Sequence, residues 1–483
     1  MYRTIAQLDA LTSFLATSFP QLFSRIQLPE TSVQGRPIYA LRMRAGGGPD
    51  RRSVLVVGGT HSRELMNPDA IAELAVDLCT SYTSGSDVLY GGRTWAAADV
   101  RVVLETLDLW LVPCINPDGR HYVMTVDDLW RKNRRDNPAT TCDGVDLNRN
   151  LDLLWGVAQG QTSCSPCSDV YCGPSVFSEP ETRNVRHLLD THQVVSFVDV
   201  HSYSELVLHP WGHAPTQTVD STKRFTGLPA GTCTASIPAA YQEYMDPLDV
   251  QRFQTVGQRI VDSVTAVRGR VYTRQTGTAL YPTTGTHSDY AYARHIANPA
   301  LHKTYGFTFE TGPFAGNARD SFHPVDPEPI KTDAKAAIFT LMEQSVCAIE
   351  LIGLRLLGRD LEVAALRKVR DELLATTDAG RGWIALFERI QFPLLNLVLT
   401  NKRRSSTAVS LLKAIGALVQ DETSTVAKKE AERSGKFLAE LATASKSESI
   451  KTEFSTVRRK LTELSGRPTQ EAIKSLMAQG PAA

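Results

Sequence analysis

The sequence predicts an α/β fold in which helices sandwich a mixed, largely parallel β-sheet, followed by an all-α C-terminal extension. Three observations lead to this prediction. Short, nearly continuous apolar runs recur in the first part of the chain, helical patterns separate them, and the composition changes near residue 344. Strands that alternate with helices are typical of a parallel or mixed sheet covered on both faces.

Four apolar runs have the character of buried strands. They span residues 53–59, 107–116, 194–203 and 305–311, and polar turns containing Gly or Pro end them. Because apolar residues fill them almost without interruption, we expect both of their faces to be covered. Sheets of this kind form their sites at the carboxyl ends of strands. Functional side chains are therefore expected just after these runs.

Two segments between the strands carry signals for the start of a helix. The first offers Asn67 as the N-cap, with Pro68 at the first helical position. The second offers Ser178 and Glu181 as a capping box. Apolar residues at helical spacing follow in both segments, and we predict a helix in each.

The C-terminal part differs in composition and charge, which predicts two domains, residues 1–343 and 344–483. Residues 346–483 contain 22 basic and 16 acidic residues, a net charge of +6, and few Gly or Pro. We predict helices over 331–354, 358–376, 379–400, 405–420, 422–443, 446–465 and 468–478. We interpret them as a bundle that packs on the first domain or on a copy of itself. The alternative is a docking module for an acidic partner.

The composition of the whole chain excludes several classes of protein. The 52 basic and 52 acidic residues balance, which argues against a nucleic-acid partner or a polybasic membrane anchor. No run of eighteen apolar residues is present, so we predict no transmembrane segment. The N-terminal segment lacks the basic and apolar regions of a signal peptide, which favours a cytoplasmic location.

Candidate metal ligands lie after two of the predicted strands. His61 and Glu64 follow the first run, and His201 lies near the end of the third. Two imidazoles and one carboxylate leave a fourth position open, as in catalytic zinc sites. By itself, the His-x-x-Glu spacing is also typical of an ordinary surface turn. The motifs that follow along the chain decide between a zinc site and a surface turn.

Further motifs follow along the chain in a fixed order. They are Asn116-Pro117-Asp118-Gly119, Trp130-Arg131-Lys132-Asn133-Arg134-Arg135, Gly144-Val145-Asp146-Leu147-Asn148-Arg149-Asn150, His201-Ser202-Tyr203, Tyr281 to Tyr290, and Phe307-Thr308-Phe309-Glu310. With these motifs, residues 2–340 resemble the zinc metallocarboxypeptidases of the carboxypeptidase A/B type. The resemblance implies the carboxypeptidase fold and a zinc-dependent exopeptidase that begins at the mature catalytic domain, without a prodomain.

The resemblance implies a role for each matching residue. His61, Glu64 and His201 match the ligands of one zinc ion. Glu310 matches the general base that takes a proton from the attacking water. Arg134 matches the residue that stabilises the oxyanion.

The same resemblance implies how a substrate is held. Asn148, Arg149 and Tyr281 match the clamp for the C-terminal carboxylate of the substrate, to which a guanidinium binds through two hydrogen bonds. Further substrate contacts are implied for Arg63, Arg131 and Tyr203.

The pocket for the released side chain is expected at Ser288, with Leu208, Thr283 and Thr308 among its lining residues. None of these residues is charged. A charged side chain buried there would lack a partner, at a cost in free energy. We therefore expect release of neutral residues, apolar or aromatic first. The segment 213–250 is longer than usual for the family and either covers the cleft or forms a surface insertion.

The cysteines give conflicting indications of the compartment. Cys142 and Cys167 match a disulfide of secreted relatives, and Cys164 and Cys172 are candidates for a second, local bridge. The other four cysteines are expected to be free, which favours a reducing compartment instead. A zinc knuckle at Cys164, Cys167 and Cys172 is the less favoured alternative. The sequence leaves the compartment open, with a secreted and a cytoplasmic location both compatible.

The sequence thus predicts a metallocarboxypeptidase, a peptide hydrolase acting on the C-termini of peptides or proteins. Two alternatives remain open. One is a zinc amidohydrolase that trims cell-wall peptides, and the other is a non-catalytic adaptor acting through its helical tail. The uncharged pocket around Ser288 argues against side-chain-linked glutamates as substrates. The presence of Glu310 and Arg134 argues against the adaptor.

Overall fold

The computed structural model describes residues 2–46, 51–158, 160–225, 228, 233, 236–346, 369, 373–399, 401–420, 424–445 and 448–481. The chain divides into two compact units, Met1–Ser345 and Val346–Ala483. Cys347 and the predicted helix 358–376 lie outside the described residues, apart from 369 and 373–376.

The described residues of the first unit form twelve strands. They are β1 Phe23–Gln27, β2 Tyr39–Met43, β3 Ser53–Gly58, β4 Val88–Tyr90, β5 Arg93–Trp95, β6 Asp108–Val112, β7 Val194–His201, β8 Leu206–His209, β9 Thr216–Thr218, β10 Gln242–Tyr244, β11 Thr273–Thr276 and β12 Tyr305–Glu310. Eight of them form one sheet in the order β1-β2-β6-β3-β7-β12-β8-β11, and β4-β5 and β9-β10 form two small sheets.

The centre of the large sheet is parallel. Strands β6, β3, β7 and β12 pair in parallel, whereas β1, β2 and β8 add antiparallel pairs toward the edges. All six residues of β3 are buried, as the continuous apolar run predicts for a strand covered on both faces. The predicted mixed sheet is confirmed. Its parallel centre brings the carboxyl ends of β3, β7 and β12 to one edge.

Ten α-helices accompany these strands in the part of the first unit that the structure describes. They are α1 Ile5–Ser18, α2 Met66–Ser84, α3 Ala97–Thr106, α4 Pro117–Thr125, α5 Pro180–Thr191, α6 Pro247–Arg268, α7 Gly277–Leu280, α8 His287–Ala297, α9 Ala318–Phe322 and α10 Glu328–Ser345. A core cluster joins β3, β6 and β7 to α5 and α8, through residues such as Leu55, Phe197 and Leu188. Helix α10 contacts α2 and α6 as well as β7.

Both predicted helix starts were misplaced. Helix α2 begins at Met66, and Asn67 is not its N-cap. The Asn67 side chain instead donates to Ser202 Oγ at 3.2 Å, so a tertiary contact takes the group that the local pattern assigned to capping. Helix α5 begins at Pro180, without a side-chain cap. There Ser178 Oγ donates to Glu179 Oε1, and Glu181 Oε1 accepts from the Val33 amide.

The second unit is helical in its described residues. Its helices are α11 Asp378–Leu399, α12 Lys402–Gln420, α13 Lys428–Ala444, α14 Glu448–Leu464 and α15 Thr469–Ala478. The predicted all-α extension is confirmed. Across the described parts of both units, no helix combines the length and the apolar character needed to cross a membrane.

Candidate metal centre and substrate cleft

Three buried side chains meet at the carboxyl ends of β3 and β7. His61 Nδ1 lies 2.7 Å from Glu64 Oε1, and His201 Nδ1 lies 3.0 Å from Glu64 Oε2. One ligand atom from each residue falls within 4.8 Å of the other two. This brings together all three predicted metal ligands.

The sheet explains why residues far apart in sequence converge here. Strands β3 and β7 are parallel neighbours, with Gly58 opposite Val200. The chain leaves β3 in a short turn that contains His61 and Glu64, and β7 ends at His201. Two neighbouring strand ends therefore supply the whole cluster.

Each histidine is backed by a buried carboxylate that was not predicted from the sequence. His61 Nε2 lies 3.1 Å from Asp146 Oδ1, and His201 Nε2 lies 2.8 Å from Asp199 Oδ2. A carboxylate behind a ligating imidazole fixes its tautomer and leaves the other nitrogen to the metal. Two histidines, one glutamate and two backing carboxylates are a donor set that fits zinc.

The charges in this cluster are strongly coupled. Burial raises the pKa of Glu64, but His61 and His201 outweigh it and bring the pKa to about 2. Burial also lowers the pKa of His61, with a contribution from Arg131. Burial lowers the pKa of His201 too, yet Asp199 and Glu64 raise it well above its usual value. Glu64 is thus held as a carboxylate, the form that binds metal.

Glu310 lies beside this cluster at the end of β12, where it is paired in register with His201. Burial raises its pKa to about 8, and the charge of Glu64 adds to that effect. The charges of His201 and Arg131 act in the opposite direction. A buried carboxylate of this kind holds a proton more readily than an exposed one.

The cluster opens into a cleft of about 460 Å³. Its lining residues are His61, Arg131, Asn148, Arg149, Leu208, Gly212, Gly277, Leu280, Tyr281, Thr283, Thr286, Ser288, Asp289, Thr308 and Glu310. The predicted clamp residues and pocket residues therefore share one cavity with Glu310 and a metal ligand.

Arg149 is buried in the wall of this cleft. Its Nε donates to the carbonyl of Gln161 and its Nη1 to the carbonyl of Asn148 at 2.7 Å. Asn148 is itself held at both ends of its amide group, since Oδ1 accepts from the His287 amide and Nδ2 lies 3.5 Å from His201 Nε2. These bonds fix the direction of the guanidinium.

Arg134 is not brought to the cleft, contrary to the role that the resemblance implies. Its Nη2 donates to Asp143 Oδ2 at 2.6 Å, and its guanidinium lies over the rings of Tyr122 and Trp130. Arg131 occupies the cleft instead and pairs with Asp146. The segment offers three arginines within five residues, and the spacing alone does not tell which one turns inward.

Arg63 and Tyr203 meet at Phe322 rather than among the residues that line the cleft. The Arg63 guanidinium lies 4.7 Å from the centre of the Phe322 ring and donates to the carbonyl of Leu129. The Tyr203 ring packs edge-on against the same phenylalanine, at 5.0 Å between centroids.

The predicted side-chain pocket contains a charged residue, Asp289, that was not predicted from the sequence. Thr308 Oγ1 donates to Ser288 Oγ at 3.2 Å, and Leu208 and Thr283 line the same cavity. Asp289, the residue after Ser288, also lines it. The Asp289 Oδ2 atom accepts from the Gly212 amide at 2.7 Å. Because Asp289 directly follows the predicted pocket residue Ser288, its position in the sequence could have indicated that it lines the pocket.

One of the two predicted disulfides is correct. Cys142 is bonded to Cys167, but Cys164 is bonded to Cys233 rather than to Cys172. Cys172 is a buried free thiol, and its sulfur lies 3.7 Å from that of Cys164. Cys233 is held near Cys164 by a hydrogen bond from its amide to the carbonyl of Gly156. This contact joins segments distant in sequence, so the spacing of the cysteines does not reveal it. Cys233 is therefore not free as expected.

The family described as zinc carboxypeptidase matches residues 8–335 of this chain. The chain belongs to the zinc carboxypeptidase family. Membership identifies zinc as the metal, with one ion per catalytic unit, and the His61, Glu64 and His201 cluster as the candidate site.

Individual relatives agree with this assignment. Carboxypeptidase A4 from Mus musculus is 29% identical over 298 residues, which cover 61% of this chain and 59% of the mouse protein. Inactive metallocarboxypeptidase ECM14 from Arthroderma benhamiae is 30% identical over 226 residues, covering 44% of this chain and 36% of that protein. The chain thus spans little more than half the length of the first relative and a third of the second.

A solved structure shares the fold. The crystal structure of thrombin activatable fibrinolysis inhibitor matches with a TM-score of 0.56 and 21% identity. The match covers 72% of this chain and 75% of that one.

Proposed function

We propose that this protein is a zinc-dependent exopeptidase that releases single residues from the C-termini of peptides, with residues 1–345 as its catalytic domain. The observation that carries the proposal is the position of Arg149. This buried guanidinium shares one cleft with Glu310 and the His61 metal ligand. A fixed cation beside a hydrolytic site selects chains that end in a free carboxylate.

His61, Glu64 and His201 would hold the zinc ion. When bound, zinc polarises the scissile carbonyl and lowers the pKa of a water molecule. The carboxylates of Asp146 and Asp199 orient the two imidazoles, so that the ring nitrogens facing Glu64 are free for the metal.

Arg149, Asn148 and Tyr281 bind the substrate's terminal carboxylate in this proposal. The guanidinium of Arg149 is held by two backbone carbonyls, which leaves little freedom to lose on binding. Once the carboxylate is fixed, the last peptide bond falls between Arg149 and the metal cluster. Internal peptide bonds have no carboxylate to offer, so they are not selected.

Glu310 acts as the general base. Its carboxylate accepts a proton from the attacking water and then delivers it to the nitrogen of the leaving amine. Burial that raises the pKa of Glu310 to about 8 suits a group that must take up a proton and release it again.

Arg131, rather than Arg134, stabilises the charge that develops on the carbonyl oxygen. Its guanidinium lines the cleft and is oriented by two hydrogen bonds to Asp146 Oδ2. A cation that is already oriented toward developing charge does not need to reorganise during the reaction.

The pocket at Ser288 favours neutral side chains, apolar or aromatic first. Leu208, Thr283 and Thr308 are uncharged, and the Asp289 carboxylate already accepts from the Gly212 amide. The two disulfides of the first unit favour an oxidising, extracellular compartment.

The experiment compares peptides of one sequence with free and amidated C-termini, incubated with the zinc-loaded protein and with an Arg149→Ala variant. We expect mass spectrometry to detect loss of terminal residues from the free peptide only. In the variant, KM for the free peptide should rise and the preference over the amide should shrink. Equal cleavage of both peptides by the unaltered protein would rule out the proposal. Complete inactivity of the zinc-loaded protein would favour the non-catalytic alternative.

A further inference from the structure

A buried chain of charged groups lies behind the side-chain pocket. His213 Nε2 lies 3.2 Å from Glu243 Oε2, and His213 Nδ1 lies 3.7 Å from Asp289 Oδ2. His213 and Glu243 are fully buried, and Asp289 is nearly so. The imidazole therefore stands between a carboxylate of the pocket and a second carboxylate further inside.

The inner carboxylate, Glu243, accepts hydrogen bonds from several donors. Glu243 accepts from the Tyr241 hydroxyl at 2.6 Å and from the amides of Phe225 and Tyr244. These three donors satisfy its oxygens without any help from the pocket. Glu243 belongs to β10, which lies in the long segment 213–250. This segment therefore supplies the innermost of the three charged groups.

The pocket carboxylate depends more on His213. Asp289 accepts one hydrogen bond from the Gly212 amide and lies in the first turn of α8, where the helix dipole favours a negative charge. The His213 imidazole lies 3.7 Å from the same oxygen, Oδ2, and His213 is not among the described residues that line the cleft. A cation there offsets the negative charge that Asp289 presents to a bound side chain.

The surroundings favour the charged form of this histidine. Burial lowers the pKa of His213, but the neighbouring carboxylates of Asp289 and Glu243 outweigh it and raise the pKa above its usual value. Aromatic rings of Trp211, Phe225 and Tyr241 enclose the imidazole. Water is therefore not available to screen its charge.

We propose that His213 is a positioning residue for substrate specificity, because its imidazolium offsets the Asp289 carboxylate and thereby excludes lysine and arginine from the pocket. The inference rests on the proposed exopeptidase activity and adds the reason for its neutral preference. Without the His213 cation, the Asp289 carboxylate would face the pocket uncompensated, with the negative charge of Glu243 behind it, and the cationic side chain of a substrate would supply the missing charge.

The test uses peptides of one sequence that end in leucine, lysine or glutamate, with His213→Gln and His213→Phe variants of the full chain. His213→Phe keeps a ring in the aromatic enclosure, which protects the fold. We expect the ratio of kcat/KM for lysine over leucine to rise by about tenfold or more in both variants. His295→Gln is the matched control, since His295 is on α8 but contacts the carbonyl of Tyr292, and its ratio should stay unchanged.

A second arm leaves His213 in place. Asp289→Asn removes the negative charge that lines the pocket while the His213 imidazolium remains behind it, so release of glutamate relative to leucine should increase. In the His213→Phe/Asp289→Asn double variant, the gain for lysine should disappear. A merely structural role for His213 would lower all rates without changing these ratios.

The outcomes separate the two proposals. If the zinc-loaded, unaltered protein releases no residue from any of the peptides, the exopeptidase proposal fails. If that protein releases leucine, but folded His213 variants and Asp289→Asn keep its lysine and glutamate ratios, the role of His213 is overturned while the exopeptidase proposal stands.

Discussion

Arg131 forms a buried ion pair with Asp146, with 2.9 Å between Nη2 and Oδ2. The other oxygen of the same carboxylate lies 3.1 Å from His61 Nε2. Asp146 therefore links the group proposed to stabilise the oxyanion to a proposed zinc ligand. Because Arg131 and His61 both contact the Asp146 carboxylate, the orientation of the guanidinium is coupled to that of the imidazole.

The two arginines of this region should differ sharply in their effect on catalysis. We expect Arg131→Ala to lower kcat/KM by about 100- to 1000-fold, the usual loss on removing one donor to an oxyanion. Arg134→Ala removes a surface-side pair with Asp143 and should change kcat/KM by less than about tenfold. Steady-state kinetics of both variants on one peptide provides the comparison. A larger loss in Arg134→Ala would reverse the assignment.

Asp146 should matter for metal affinity. Asp146→Asn keeps the shape of the side chain but removes the charge that backs His61, and we expect zinc affinity to fall by about 10- to 100-fold. Competition with a chelator of known affinity measures this directly, without recourse to activity. Asp143→Asn is the control, since Asp143 pairs with Arg134. Equal affinities in the two variants would contradict a role for Asp146 behind the ligand.

The disulfide pattern can be read by peptide mapping under non-reducing conditions. We expect linked peptides for Cys142 with Cys167 and for Cys164 with Cys233. Cys172 should be modified by an alkylating reagent only after unfolding, because its thiol is buried and burial raises its pKa to about 11. A Cys164–Cys172 disulfide in the native protein would contradict this pattern and support the local pairing predicted from the sequence.

The raised pKa of Glu181 should make the free energy of unfolding depend on pH. Burial and the neighbouring Glu179 charge raise its pKa from 4.5 to about 8. The folded state therefore binds more protons than the unfolded state between these values, so this group costs stability progressively as the pH rises through that window. We expect Glu181→Gln to become more stable relative to the unaltered protein between pH 5 and about pH 8, by a few kcal/mol. Urea unfolding at both pH values provides the measurement, and a constant difference would contradict the shift.

Much of the fold follows from local pattern. Nearly continuous apolar runs identified the strands β3, β6, β7 and β12, because burial on both faces favours apolar residues at most positions. The same logic placed functional side chains at their carboxyl ends, which brought His61, Glu64 and His201 together. Patterns of this kind depend on a few neighbouring residues, so the sequence displays them directly.

Arg134 was expected in the cleft but pairs with Asp143, nine residues away. The other errors have a different physical origin. Asn67 was assigned to a helix cap and Cys164 to a local bridge, and in both cases a partner distant in sequence decides the outcome. The chain from Asp289 through His213 to Glu243 was missed for the same reason. Its members are polar residues of ordinary appearance, separated by 30 or more positions, and only the folded structure brings their charges together.

The central claim is tested most directly by the zinc-loaded Glu310→Gln variant and the unaltered protein on one peptide with a free C-terminus. We expect both proteins to bind one zinc ion, because Glu310 is not among the proposed ligands. The unaltered protein should release residues one at a time from the C-terminus, and the variant should be slower by about 100- to 10,000-fold. A variant that retains nearly full activity would contradict the assignment of Glu310 as the base, and release of internal fragments would contradict an exopeptidase.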